Sequence, residues 1–128
     1  PALAAGKVVL CDRFISATVA YQGAIGMDPR AIIEVGRVAV GGLWPDLTVV
    51  LNVPADVGLS RVNGRLGDGG SADRMESRDL DYHRRVVENF AALAEMYPAP
   101  AIEVSADGPA EAVFEKLLAV LEASFPHA

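Results

Sequence analysis

Cysteine is nearly absent: Cys11 stands alone, so no internal disulfide can form. Its place in an apolar run predicts a buried thiol in a reducing compartment, and hence a cytoplasmic protein. Histidine is scarce too, at two residues. His83 and His127 read as an exposed helix position and a tail residue, and with one cysteine they give no His/Cys set of metal-ligand spacing. No apolar run approaches the roughly 20 residues that span a bilayer. Positive charge is short too: 11 Lys and Arg against 17 Asp and Glu leave a formal charge of −6, which argues against a nucleic-acid polymer or a membrane surface as partner. Basic clusters are therefore read as local sites. With 128 residues, 52% of them hydrophobic, the chain has the make-up of one soluble packed domain or part of one.

What is present is organised around Val8-Val9-Leu10-Cys11-Asp12-Arg13-Phe14, an apolar run that stops at an acid and a base. It predicts a buried strand that delivers Asp12 and Arg13 to its carboxyl end, where ligands bind in parallel α/β sheets. Ile15 to Gly23 has helical spacing, with Thr18 and Gln22 four apart on one face. Ahead of the run, Pro1 to Gly6 reads as the last turns of a helix closed by glycine, as if a further segment lay upstream.

Downstream, Asp28-Pro29 predicts a helix start, with Ile32, Ile33, Val35, Gly36 and Val40 as its apolar side. Leu47 to Val53 predicts a strand buried on both faces. Pro54 to about Arg65 predicts a helix, and the glycine-rich stretch up to Ala72 a mobile loop. Tyr82, Val86, Phe90, Leu93 and Tyr97 form one core stripe of a long helix. Ala101 to Val104 predicts a third strand, and Pro109 opens a last helix with Val113, Leu117, Val120 and Leu121 facing inward. Strands alternating with helices predict a single α/β domain with a parallel, doubly wound sheet.

Arg13, Arg61, Arg65, Arg74 and Arg78 are cations of the kind that grip phosphate oxygens bidentately. For Arg61 and Arg78 a solvated surface charge is an equal alternative. Asp12 is a candidate Mg²⁺ ligand, or else an ion-pair partner of Arg13 or Arg74.

The segment Asp12-Arg13-Phe14 through Thr18 and Ala20-Tyr21-Gln22-Gly23 resembles the Asp-Arg-aromatic motif and following helix of bacterial-type thymidylate kinases. Trp44-Pro45-Asp46-Leu47-Thr48 resembles the opening of that family's next strand. Arg61 to Glu76 resembles its lid, extended here to about 61–78, and Tyr82 to Tyr97 resembles the helix after it. The resemblance implies a three-layer α/β/α, P-loop nucleoside monophosphate kinase-like fold, incomplete at the N-terminus. It implies transfer of the γ-phosphoryl group of ATP to dTMP, with Mg²⁺, in a homodimer. It places Arg13, Arg65 and Arg74 on the transferring phosphoryl group, Asp12 on the metal, and Asp12, Arg13, Thr18, Tyr21 and Gln22 around dTMP. Arg61, Arg65, Arg74, Glu76, Arg78, Ser105 and Ala106 fall on the ATP and lid side. Ala17 departs from the Ser often found there, and Leu66 to Ala72 is longer and richer in glycine than the resemblance leads one to expect.

No Gly-x-x-x-x-Gly-Lys-[Ser/Thr] phosphate loop occurs in the sequence. The chain is therefore expected to be the C-terminal portion of such a kinase and inactive alone. Another P-loop nucleoside or nucleotide kinase, or an inactive nucleotide-binding remnant, are the alternatives. The resemblance also implies that a further strand lies between the first and second strands of this chain. Without it those two either gape or pair directly.

Overall fold

The protein is described by a computed structural model covering residues 1–66 and 79–126. A 3₁₀ turn, Leu3–Ala5, closes at Gly6 in the left-handed region (φ 70°), the glycine-terminated end that the sequence implies. Next come α1 (Ile15–Gly23), α2 (Pro29–Ala39), β1 (Thr48–Asn52), α3 (Ala55–Leu66), α4 (Leu80–Ala91), α5 (Leu93–Met96), β2 (Ala101–Ser105) and α6 (Ala110–Ser124).

Several of these form where local chemistry dictates. The Asp28 carboxylate accepts the Arg30 amide at 2.9 Å and Pro29 occupies the first turn of α2. The Asp79 carboxylate caps α4 through the Tyr82 amide at 2.7 Å. β1 and β2 run parallel, with Thr48 opposite Ala101 and Asn52 opposite Ser105. Helices connect the two strands, as a parallel pair requires.

Helix α1 packs against both α2 and α4, while α4 reaches β1 and both α5 and α6 reach β2. Val19, Ile32, Ile33, Val50, Leu93 and Tyr97 form the main core cluster. A second cluster joins Ala20 and Ala24 of α1 and its C-cap to Tyr82 and Val86 of α4. The predicted stripe from Tyr82 to Tyr97 is thus core, although the chain turns at Ala92 and splits the expected single helix. On α6, Val113, Leu117, Val120 and Leu121 are half-buried while Phe114 and Leu118 face solvent.

Other expectations fail. Val8 to Phe14 is not a strand: Val8 is 84% and Leu10 91% exposed. A strand needs a hydrogen-bonded neighbour, and the described sheet contains only β1 and β2, so the run gapes instead of re-pairing. Cys11 is exposed with it. β1 is not buried on both faces, since Leu51 remains 54% exposed. Val35 points away from the core, because the buried face of α2 centres on Ile32, Ile33 and Gly36.

Candidate functional site: a crevice under Arg13

Helix α1 begins without a local cap. Phe14 stands at its N-cap in extended conformation and supplies no side-chain acceptor. The deficit is met from far along the chain: the Ser16 amide donates to the Tyr97 hydroxyl at 3.2 Å. Burial pushes the Tyr97 phenol above its ordinary pKa of 10.0, an effect that hydrogen bonding with Ser16 partly offsets. The Phe14 ring meets Trp44 edge-on with centroids 6.2 Å apart, and Trp44 meets Tyr97 in the same way at 5.3 Å.

Arg13, just before this anchor, is the single non-glycine residue with positive φ (64°) among the described residues. A left-handed backbone at such a residue costs about 1–3 kcal/mol and persists only where its surroundings enforce it. Here the guanidinium carbon lies 4.8 Å from the centre of the Tyr21 ring, a cation–π contact. Tyr21 in turn meets Phe90 of α4 edge-on at 6.0 Å. The Asn89 side-chain amide donates to the Ala20 carbonyl, and the Arg85 Nε–H to the Ala24 carbonyl, both at 3.0 Å, which fastens α1 to α4.

These contacts leave a crevice of about 500 Å³ lined by Arg13, Phe14, Ile15, Ala17, Thr18, Tyr21 and Gln22. Arg13, Thr18, Tyr21 and Gln22, singled out from the sequence, are brought together in it. Asp12 adjoins it in the chain as an exposed carboxylate and makes no ion pair with Arg13. Among the described residues no group of three His, Cys, Asp or Glu side chains converges as a metal site. A single free carboxylate suits Mg²⁺, which takes one or two carboxylates and completes its shell with water and phosphate oxygens.

A second locus follows β2. The Arg61 guanidinium, on α3, donates to the carbonyls of Ala106 at 2.9 Å and Gly108 at 3.4 Å and lies 4.0 Å from the Asp107 carboxylate. The Lys116 ammonium donates to the Ser105 carbonyl at 3.3 Å, and the Ala106 amide to Asn52 at 2.8 Å. Arg61 thus ties the loop to α3. The backbone of Arg65 belongs to α3, but its side chain, together with Arg74, Glu76 and Arg78, lies outside the described residues. Sequence reasoning missed the contacts of Trp44 with Phe14 and of Tyr97 with Ser16, which no local spacing signals. His83, expected to be exposed, is half-buried with Nε2 out of solvent, and its ring meets that of Tyr82 edge-on at 5.4 Å.

A cation held over an aromatic ring, with a hydroxyl and a carboxamide in the same crevice, in an α/β fold with parallel strands, has the chemistry of a nucleotide-handling protein. The thymidylate kinase family profile matches residues 1–117, and the chain belongs to that family, whose fold is that of the P-loop nucleoside monophosphate kinases. It is 43% identical over 127 residues to a thymidylate kinase of Synechococcus sp. (strain JA-2-3B'a(2-13)), covering 98% of the chain and 58% of that protein. A thymidylate kinase of Nitrobacter winogradskyi is 41% identical over 122 residues, with 94% of the chain and 53% of that protein covered. One from Limosilactobacillus fermentum is 36% identical over 128 residues, with 98% and 58% covered. The chain thus spans little more than half the length of these relatives. Among the described residues no helix is long and apolar enough to cross a membrane.

Proposed function

We propose that residues 1–128 form the C-terminal part of a thymidylate kinase domain, with a lid at about 61–78, and that the intact cytoplasmic enzyme converts dTMP and ATP to dTDP and ADP. The observation that carries this reading is the Arg13 guanidinium held over Tyr21 in a crevice shared with Thr18 and Gln22.

A dTMP phosphate oxygen attacks the γ-phosphorus of ATP, the bond from that phosphorus to the β,γ-bridging oxygen breaks, and ADP leaves with that electron pair. Such transfer asks little covalent chemistry of the protein and depends on placement and on cations around growing phosphate charge. Arg13 meets the acceptor phosphate and the transferring group, held for that task by its enforced backbone. Thr18 and Gln22 read the base, and Tyr21 lies against the sugar. Arg65 and Arg74 close with the lid over the donor phosphates, with Arg78 and Glu76 beside them. The loop of Ser105 and Ala106, braced by Arg61, borders the adenine side. Asp12 would hold Mg²⁺, which would supply positive charge against the phosphates. A homodimer is the assembly proposed.

The sequence holds no Gly-x-x-x-x-Gly-Lys-[Ser/Thr], so turnover is assigned to a polypeptide that supplies one and this chain alone is proposed to be inactive. In a protein carrying that loop, Arg13→Ala is expected to lower kcat/KM for dTMP by at least ~100-fold, the scale of losing one preorganised electrostatic donor. Kinetics within about threefold of wild type, far below that scale, would overturn the assignment.

A further inference from the structure

We infer that Tyr97 is a positioning residue: its hydroxyl, by accepting the Ser16 amide, fixes the start of α1 and with it the placement of the Arg13 guanidinium over Tyr21. The inference rests on the reading of Arg13 as a phosphate-binding residue and adds what holds it in place.

A helix start leaves its first amides without intrahelical acceptors, and here the N-cap is Phe14, which has no polar side chain to offer. The Ser16 amide is buried, so water does not serve it either. Its acceptor comes from 81 residues away. Tyr97 is itself immobilised: it is 9% exposed, it belongs to the main core cluster, and its own amide donates to the Leu93 carbonyl at 2.8 Å. The Tyr97 ring also backs Trp44, and Trp44 backs Phe14. Two routes therefore run from one buried tyrosine to the segment that follows Arg13: through Trp44 to the Phe14 ring, and directly to the buried Ser16 amide. A phenylalanine would fill the same space without the cost of burying a hydroxyl. What the oxygen adds is its bonding to Ser16, with a smaller contribution from Thr48.

The test compares the 128-residue chain with its Tyr97→Phe and Val86→Ala variants. Val86→Ala, in the other core cluster, serves as a destabilised control. With no nucleotide present, Tyr97→Phe is expected to speed exchange of the Ser16 amide about tenfold relative to the Val104 amide, the scale of one lost hydrogen bond. It is also expected to move the Arg13 Nε–H resonance as the guanidinium leaves the shielding face of Tyr21. Val86→Ala, whose cluster also packs Tyr21, controls for the exchange readout alone and should leave Ser16 exchange relative to Val104 unchanged. Unchanged Ser16 exchange would overturn the inference, and so would faster exchange with the Arg13 resonance unmoved, because the hydroxyl would then support only the helix. A dTMP titration separates this from the underlying reading. If Tyr97→Phe displaces Arg13 and weakens dTMP binding several-fold, both stand. If Arg13 is displaced and dTMP affinity is unchanged, Tyr97 keeps its positioning role and the phosphate assignment of Arg13 falls.

Discussion

Gly36→Ala is the substitution that best probes how α2 supports the crevice. A Cβ at Gly36 would lie 2.8 Å from Ile15 Cγ2 and 3.2 Å from both Cγ1 and Cδ1 of the same side chain. Two effects oppose one another. Alanine is better than glycine in a helix interior by about 1 kcal/mol, whereas overpacking a fitted contact costs about 1–3 kcal/mol. The clash meets a whole branched side chain at the first residue of α1, not the tip of a flexible one, so the second effect prevails. We expect net destabilisation of up to about 2 kcal/mol. In an Ile15→Ala background every clashing atom is gone, and Gly36→Ala should then stabilise by up to about 1 kcal/mol. Urea unfolding of the four proteins yields the coupling energy directly. An effect of Gly36→Ala that is the same in both backgrounds to within about 0.5 kcal/mol would refute the close approach of α2 to α1.

Tyr97→Phe should change the alkaline limb of stability. Because the folded pKa lies above the ordinary 10.0, the native state holds the phenolic proton longer than the unfolded chain; stability is unaffected below that value and falls as pH rises through the folded pKa. Chemical denaturation at intervals from neutral to strongly alkaline pH should show a wild-type decline that is shallower in Tyr97→Phe, and parallel curves would count against the buried phenol. Asp28→Ala should cost about 1 kcal/mol by leaving the Arg30 amide without its cap, while Asp28→Asn should recover most of it. Equal losses in the two variants would show that the cap contributes nothing there.

Local signals reached the structure where local chemistry decides it. Asp28-Pro29 could only start a helix, Gly6 could only end a turn, and the spacing from Tyr82 to Tyr97 could only be a buried face. The crevice was legible for a related reason: Arg13, Thr18, Tyr21 and Gln22 lie within ten residues, three of them on α1 and Arg13 just before it. Partners distant in sequence were not legible. Val8 to Leu10 reads as a buried strand from composition, but a strand is made by its neighbours, and none of the described residues pairs with it. The same holds for the hydroxyl of Tyr97, whose acceptor role depends on a residue 81 positions away. Its periodic placement announced a core aromatic and nothing about its oxygen.

The central claim, that the Arg13 crevice is the dTMP site, is tested most directly by titrating dTMP into the isotopically labelled chain and following amide resonances. Saturable changes at Arg13, Thr18, Tyr21 and Gln22 that vanish in Arg13→Ala are the predicted result. The result that would contradict the account is no saturable change there, or changes gathered instead at another cavity, lined by residues that include Gly26, Asp79, Tyr82 and Arg85.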